Sequence, residues 1–359
     1  MVSLATAPQF LLRSNLLAPE AIVRGEVFAK DVSRRNSNFV VWHREGEAAY
    51  FLKTSRTPDA ARTIAHEALV YRFLASLSGR SSEIGPRYYL FDADEGVLVL
   101  QSKDGAHNFQ SELRSSSFTT TRRLSGHIGR ALSLVHSITI DDLRTAPELA
   151  RPSPPWVLGL SLIEWEQLGR FSRAQRELAA ALHRHEEVLE RLETLRTSWS
   201  PVCLIHGDLK PENILTYPSD DGRREIVLVD WEFARIGEPA WDVGSVLAGI
   251  LVRWATSIPI TDASSTGVKA ELAAVPLSRV QAQAKSFWSA YAKPSRRRGL
   301  QRELLQSSVS FAGARIIQTA HEHLTYSSSM SGTTALLVQL GSNLLMEPEA
   351  ACRDLLSLG

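Results

Sequence analysis

Three residues that can bind metal or move a proton stand at fixed intervals in one stretch of this 359-residue chain. They are Asp208, Asn213 five residues later, and Asp230 seventeen residues after that, closing the apolar run Ile226-Val227-Leu228-Val229. Asp208, within His206-Gly207-Asp208-Leu209-Lys210-Pro211-Glu212-Asn213, can accept the proton of an attacking hydroxyl. Asn213 and Asp230 offer hard oxygen atoms of the kind Mg2+ prefers, and that ion would neutralise the phosphates of ATP. At this spacing the constellation points to phosphoryl transfer. His206 reads as a residue bracing the loop, because Asp208 already fills the role of base.

The His-Gly-Asp loop with Asn213, and the Asp230-Trp231-Glu232 that follows, resemble the aminoglycoside phosphotransferase and choline kinase superfamily. Gly207 occupies the place where protein kinases carry arginine. The segment Leu209-Lys210-Pro211-Glu212-Asn213 is similar to the catalytic loop of Ser/Thr protein kinases, and by that resemblance Lys210 lies by the transferred phosphate as a second catalytic residue. Trp241-Asp242-Val243-Gly244 is a further match, which implies that Asp242 holds the catalytic loop by hydrogen bonds. The resemblance implies an α+β, two-lobed, protein kinase-like fold. A small N-lobe with an antiparallel sheet (residues 1–103) would bind nucleotide, and a larger, mainly helical C-lobe (104–359) would carry the catalytic loop, metal ligands and acceptor site.

The elements needed to position these groups can be sought in chain order. Residues 21–30 and 39–43 read as strands, and the loop Ser33-Arg34-Arg35-Asn36-Ser37-Asn38 between them stands where such a lobe covers the phosphates. It holds no glycine, so Asn36, Ser37 and Asn38 must supply the turn geometry and the donors, with Arg34 or Arg35 adding charge. A turn at 44–47 and a third strand over 48–53 end at Lys53. Thr57 and Pro58 then cap a helix whose apolar face is Ile64, Ala68, Tyr71, Leu74 and Leu77. Glu67 stands mid-helix, and the resemblance pairs it with Lys53 to orient that lysine toward the phosphates. Strands over 87–92 and 97–101 lead to a hinge whose backbone, by the same resemblance, meets adenine at Gln101 and Lys103.

The Ser/Thr-rich stretch 105–123 reads as a connection. Apolar spacing at Leu124, Ile128, Leu132 and Val135, and again at Leu178, Leu182, Leu189 and Leu192, marks two C-lobe helices. His183 and His185 are two apart and do not share a helix face, which argues against a metal site with Glu186 and Glu187, and His321 with His323 fails for the same reason. Val243–Val252 is too short for a membrane span before Arg253 interrupts it. Eleven residues separate Asp230 from Asp242, too few for a long activation segment, so constitutive activity is the expectation.

A formal net charge of +1 provides no global field toward nucleic acid or an anionic membrane, and neither is expected as a partner. The two cysteines, Cys203 and Cys352, are far apart and form no metal spacing. With no secretory signal read in the first seventeen residues, this implies a cytoplasmic protein. From Ala240 onward eleven Lys and Arg face eight Asp and Glu, a balance ill suited to a polycationic acceptor. The loop 33–39 and the segments 314–322 and 336–348 are similar to stand-alone phosphotransferases of lanthipeptide and thioamide-peptide biosynthesis. That resemblance implies a precursor peptide phosphorylated on Ser or Thr, then acted on by a separate lyase. Loops 261–268 and 326–334 are further places for acceptor contacts, and Arg296-Arg297-Arg298 could meet an acidic leader peptide. A small-molecule hydroxyl, as in an aminoglycoside or choline, is the alternative acceptor. A nucleotide-binding pseudokinase would have lost Lys53, Asp208, Asn213 or Asp230, and all four are present.

Overall fold

The computed structural model of the chain describes residues 2–33, 36–43, 49–55, 57–77, 84–162, 171–219, 222–260, 270–292 and 298–358. They fall into two compact units that interleave in sequence. The first comprises Met1–Glu112, Arg144–Leu149 and Glu212–Ala234, and the second Leu113–Leu143, Ala150–Pro211 and Arg235–Gly359. The division at residue 103 is one of chain position, whereas by packing the segment bearing Asn213 and Asp230 belongs with the N-terminal residues.

The first unit is built on an antiparallel sheet of β1 (Val27–Asp31), β2 (Ser37–His43), β3 (Ala49–Thr54), β4 (Tyr88–Asp92) and β5 (Val97–Ser102), in the order β1-β2-β3-β5-β4. Helix α1 (Ala7–Arg13) buries Phe10 and Leu11 in one cluster with Phe39, Val41, Leu52, Val97 and Val99. The strand expected over 21–30 begins later. Pro19 opens a helical turn, α2 (Pro19–Val23), because its fixed φ and missing N–H suit a first helical position, and only Val27 onward joins the sheet. Helix α3 (Pro58–Ser76) starts as expected, with the Thr57 hydroxyl accepting from the Ala60 amide at 3.3 Å. A second, three-stranded sheet joins β6 (His107–Asn108), β8 (Ile214–Pro218) and β9 (Arg224–Leu228) in the order β6-β8-β9.

Residues 105–123 are not a bare connection. They hold β6, α4 (Phe109–Ser115) and the start of α5 (Phe118–Val135). Phe109 and Glu112 are buried, and the Glu112 carboxylate takes the Thr216 hydroxyl at 3.0 Å and the Arg224 guanidinium. A buried charge with a partner secures the segment where Ser/Thr content alone suggested a loop.

In the second unit the single helix expected across 178–192 is two, α6 (Arg173–His183) and α7 (Glu186–Thr197), the first opened by a capping box in which Ser172 and Gln175 serve each other's amides. A short ribbon pairs β7 (Cys203–Ile205) with β10 (Arg235–Gly237). Helix α8 (Pro239–Ala255) is almost wholly buried, with Trp241, Asp242, Val243, Leu247 and Leu251 inside. α9 (Leu277–Tyr291) packs on α5, and α10 (Arg298–His323) lies against both α8 and α11 (Gly332–Met346). At the α10–α11 crossing the backbones touch: a Cβ on Gly313 would sit 2.5 Å from the Gly341 carbonyl oxygen, and one on Gly341 2.8 Å from that of Gly313. Arg34, Arg35, the 44–47 turn, the 261–268 loop, and Arg296 with Arg297 lie outside the described residues. Of the 326–334 loop, the last three residues open α11.

Candidate active site

In the first unit, Lys53 is the penultimate residue of β3 and is buried. Its ammonium donates to Glu67 Oε2 and to Asp230 Oδ1, each at 2.6 Å. The expected lysine–glutamate pair is therefore made, with one of the expected metal ligands as its third member. Glu67 points inward from the middle of α3, and Tyr71, one turn on, is buried beside it. Burial draws the Lys53 ammonium down, but Glu67 and Asp230 outweigh it and hold its pKa well above the usual lysine range. Burial pushes the Glu67 carboxyl up to about 7 against the pull of Lys53, and pushes the Tyr71 hydroxyl well above its ordinary value.

Asp230 follows β9 with φ of +66°, a left-handed conformation that few residues other than glycine adopt. It is held on both sides. The Val229 amide donates to the Asn213 carbonyl at 2.9 Å, which ties the end of β9 to the start of β8, and the buried Trp231 indole donates to Leu228 O at 2.9 Å. Asn213, closing a 3-10 turn (Pro211–Asn213), is buried.

Asn36, Ser37 and Asn38 enter β2, and Asn38 stands in register opposite Lys53. The turn without glycine is closed by side chains: Ser33 Oγ accepts the Asn38 amide at 2.9 Å and Asp31 Oδ1 accepts the Ser33 amide at 2.8 Å. The Asn38 carboxamide oxygen is buried without a partner among the described residues. Gln101 and Lys103 sit at the end of β5 and just beyond it, but the Gln101 amide already donates to Arg87 O at 2.8 Å, and the Lys103 ammonium lies 4.7 Å from the Tyr217 ring centre. That Gln101 N–H is spent within the sheet.

The second unit holds the catalytic loop. Gly207 has φ of +82°, which a side chain would oppose, and there the chain turns so that both the His206 and Gly207 amides donate to the buried Asp242, at 2.6 and 3.0 Å. The Trp241 indole donates to Gly207 O at 2.9 Å. Asp242 is also met by His136 Nε2 at 3.4 Å, whose Nδ1 is 2.8 Å from the Tyr291 hydroxyl. The loop thus rests on the first turn of α8, and His206 Nδ1 accepts the Asp208 amide at 3.4 Å, as a bracing residue would.

Asp208, 7% exposed, has a cation on each oxygen: Arg315 Nη2 at 2.8 Å from Oδ1 and Lys210 Nζ at 2.8 Å from Oδ2. Burial alone would raise this carboxyl, but Arg315 and then Lys210 outweigh it and hold it below the ordinary aspartate value. Asp208 is therefore ionised throughout the neutral range and can receive a hydroxyl proton. Burial pulls the Lys210 ammonium down, and Asp208 more than restores it.

Arg315 was not among the residues singled out from sequence. It stands in α10 inside Phe311-Ala312-Gly313-Ala314-Arg315-Ile316-Ile317, almost all of it buried. A lone cation in an apolar helical run must be paired, since an unpaired buried charge is costly, and that signal was present. What the run could not show was the partner, 107 residues away.

Residues 27–285 match the phosphotransferase enzyme family, most of the chain. The chain belongs to that family. Mouse acyl-CoA dehydrogenase family member 11 is 28% identical over 95 residues, covering 25% of this chain and 12% of that much longer protein. Among solved structures, a Plasmodium vivax ethanolamine kinase superposes with a TM-score of 0.55 at 14% identity, covering 94% of this chain and 84% of its own. An aminoglycoside 2'-phosphotransferase bound to GDP gives 0.55 at 13% identity, covering 98% and 99%. An amicoumacin kinase in complex with AMP-PNP, Ca2+ and Ami gives 0.53 at 15%, covering 95% and 94%. At such identities the likeness is one of fold: kinase-like, with an antiparallel sheet and a mainly helical remainder.

Family membership implies a nucleotide and a divalent metal, and the donors present fit. Among the described residues no three His, Cys, Asp or Glu cluster into a cage for an ion. Asn213 and Asp230 would offer an amide and a carboxylate oxygen, hard donors of the kind a divalent ion takes alongside phosphate and water.

Proposed function

We propose that this chain is an ATP- and Mg2+-dependent kinase that phosphorylates Ser or Thr hydroxyls of a ribosomally made precursor peptide, before a separate lyase eliminates the phosphate. The observation that carries phosphoryl transfer is Asp208, buried yet ionised, with one oxygen on Arg315 and the other on Lys210. Its carboxylate orients the acceptor hydroxyl and takes its proton. The hydroxyl oxygen forms a bond to the γ-phosphorus, the bond from phosphorus to the β,γ-bridging oxygen breaks, and ADP leaves with that electron pair. Lys53, steered by Glu67, pairs with nucleotide phosphates. Asn213 and Asp230 would hold the metal ion, which supplies neutralisation of phosphate charge. Lys210 is placed to steady the transferred group. Because Asp208 is already depressed in pKa, its part is more positioning than strong proton abstraction, which suits a loose transition state where the hydroxyl proton leaves late.

For the acceptor, the support is local charge. Two cations flank the one carboxylate that must meet the hydroxyl, so a polycation is opposed there and a neutral peptide is not. The resemblance of segments 314–322 and 336–348 to peptide-modifying phosphotransferases points the same way. The test is mass spectrometry of Ser- and Thr-containing peptides incubated with ATP and Mg2+, beside ethanolamine, choline and an aminoglycoside. A gain of about 80 Da on peptide hydroxyls is expected. Turnover confined to the small molecules would replace the peptide by a small-molecule acceptor.

A further inference from the structure

One face of α10 holds more than the partner of Asp208. Arg315, Gln318 and Glu322 recur at helical spacing on it, and the first two are 3% and 8% exposed. Arg315 spends Nη2 on Asp208, but its Nη1 is buried with no hydrogen-bond partner among the described residues and lies 3.8 Å from Glu322 Oε1. Gln318 donates Nε2 to Glu322 Oε1 at 2.9 Å, which fixes the orientation of its amide and leaves Oε1 as the unsatisfied, buried atom. The face therefore presents one donor met only by the long ion-pair contact to Glu322, on the guanidinium that bonds Asp208, and, one turn along, one spare acceptor. Buried polar atoms without partners are costly, and a ligand that bonds to both would remove that cost.

We propose that Arg315 Nη1 and Gln318 Oε1 read the amide on the carboxyl side of the residue that bears the reacting hydroxyl, the carbonyl accepting from Arg315 and the N–H donating to Gln318. This inference rests on the peptide-kinase reading above and gives it its recognition chemistry. A donor and an acceptor side by side are complementary to an amide. They are not complementary to an ammonium, which brings only donors, nor to a carboxylate, which brings only acceptors. Lys210 and Glu322, whose side chains are 36% and 42% exposed, form the solvent side of the cluster, from which the acceptor approaches. The amide can belong to a seryl peptide or to a small hydroxy amide, and the two sources are separable by size.

The experiment compares N-acetylserine N-methylamide with N-acetylserine methyl ester, which shares the N-acetyl amide and keeps the carboxyl-side carbonyl but lacks the N–H there, as acceptors for the full chain with ATP and Mg2+. A ten-residue Ser peptide runs alongside. The wild type is expected to prefer the amide by roughly tenfold in kcat/KM. In Gln318→Met, a substitution of similar volume, that preference should fall to within about twofold, with the loss mostly in the amide's KM. The thermal unfolding midpoint of the variant shows whether it is folded, and the wild-type preference stands as a test should it not be. A peptide turned over better than the monomeric amide assigns the source to peptides, and the reverse assigns it to small hydroxy amides. Equal rates for amide and ester in the wild type overturn this inference while leaving the peptide reading intact. Turnover of ethanolamine or an aminoglycoside with neither serine derivative nor the peptide accepted overturns both.

Discussion

Asp208 and Lys53 are each bonded by two oppositely charged side chains, and the two arrangements predict different responses to substitution. Arg315→Met removes a buried partner from a buried carboxylate, so the folded state should lose about 3–5 kcal/mol, measurable by urea denaturation. The pH dependence should move as well. In the wild type Asp208 titrates below its unfolded value, so the stability it contributes is present above that value and lost only as pH falls through the lower, folded one. Without Arg315 the folded value rises, and the acidic limb of the rate profile should shift toward neutral pH. Glu67 carries the opposite sign. Its folded value is raised from 4.5 to about 7, so between those values the native state binds more protons than the unfolded chain and stability falls as pH rises. Glu67→Gln removes that ionisation, and the wild type should lose stability relative to the variant from pH 5 to pH 7. Parallel melting curves across that range would contradict the assignment. At this scale Lys53, Glu67 and Asp242 were legible through the family resemblance that assigns them roles, whereas Arg315 lies outside any local motif and its role depends on a contact across 107 residues.

The elements that carry these groups were read best where one periodicity or cap dominates. Helix α3 was found from its Thr57 cap and apolar face, and β2, β3 and β5 from their apolar runs. The misreadings share a cause. In α2 a short apolar run fits strand or helix, and Pro19 decides it. In α4 the deciding contacts are those of buried Glu112, which come from β8 and β9. Thr57→Ala should cost about 1 kcal/mol through the lost cap. A larger effect is expected at the α10–α11 crossing, where Gly313→Ala would place a methyl 2.5 Å from the Gly341 carbonyl oxygen. That forces the helices apart at a cost of about 1–3 kcal/mol. Because Arg315 is two residues further along α10, phosphoryl transfer should decline with stability in this variant, whereas Thr57→Ala should affect stability alone. Guanidinium titrations and initial rates on both variants would check this.

At the scale of the whole molecule, the kinase-like fold was legible from the family resemblance that the catalytic loop carries, and most of the chain matches the phosphotransferase enzyme family. The interleaving of the two compact units was not, because residues 212–234 return to pack with the N-terminal segment through contacts that chain order does not display. Both units contribute residues on which the proposed reaction depends, and their roles predict separable defects. Asp230→Ala should weaken Mg2+-dependent nucleotide binding together with turnover, and chelation of Mg2+ in the wild type should have the same effect. Asp208→Asn keeps the size of the side chain and both proposed metal ligands, so it should bind nucleotide nearly as the wild type does. The decisive measurement is the single-turnover rate of phosphoryl transfer from ATP and Mg2+ to a Ser-containing peptide by Asp208→Asn, paired with calorimetric titration of nucleotide into the same variant. The predicted result is near-unchanged nucleotide affinity with transfer slowed by roughly a hundredfold or more. Wild-type turnover in Asp208→Asn would contradict the account.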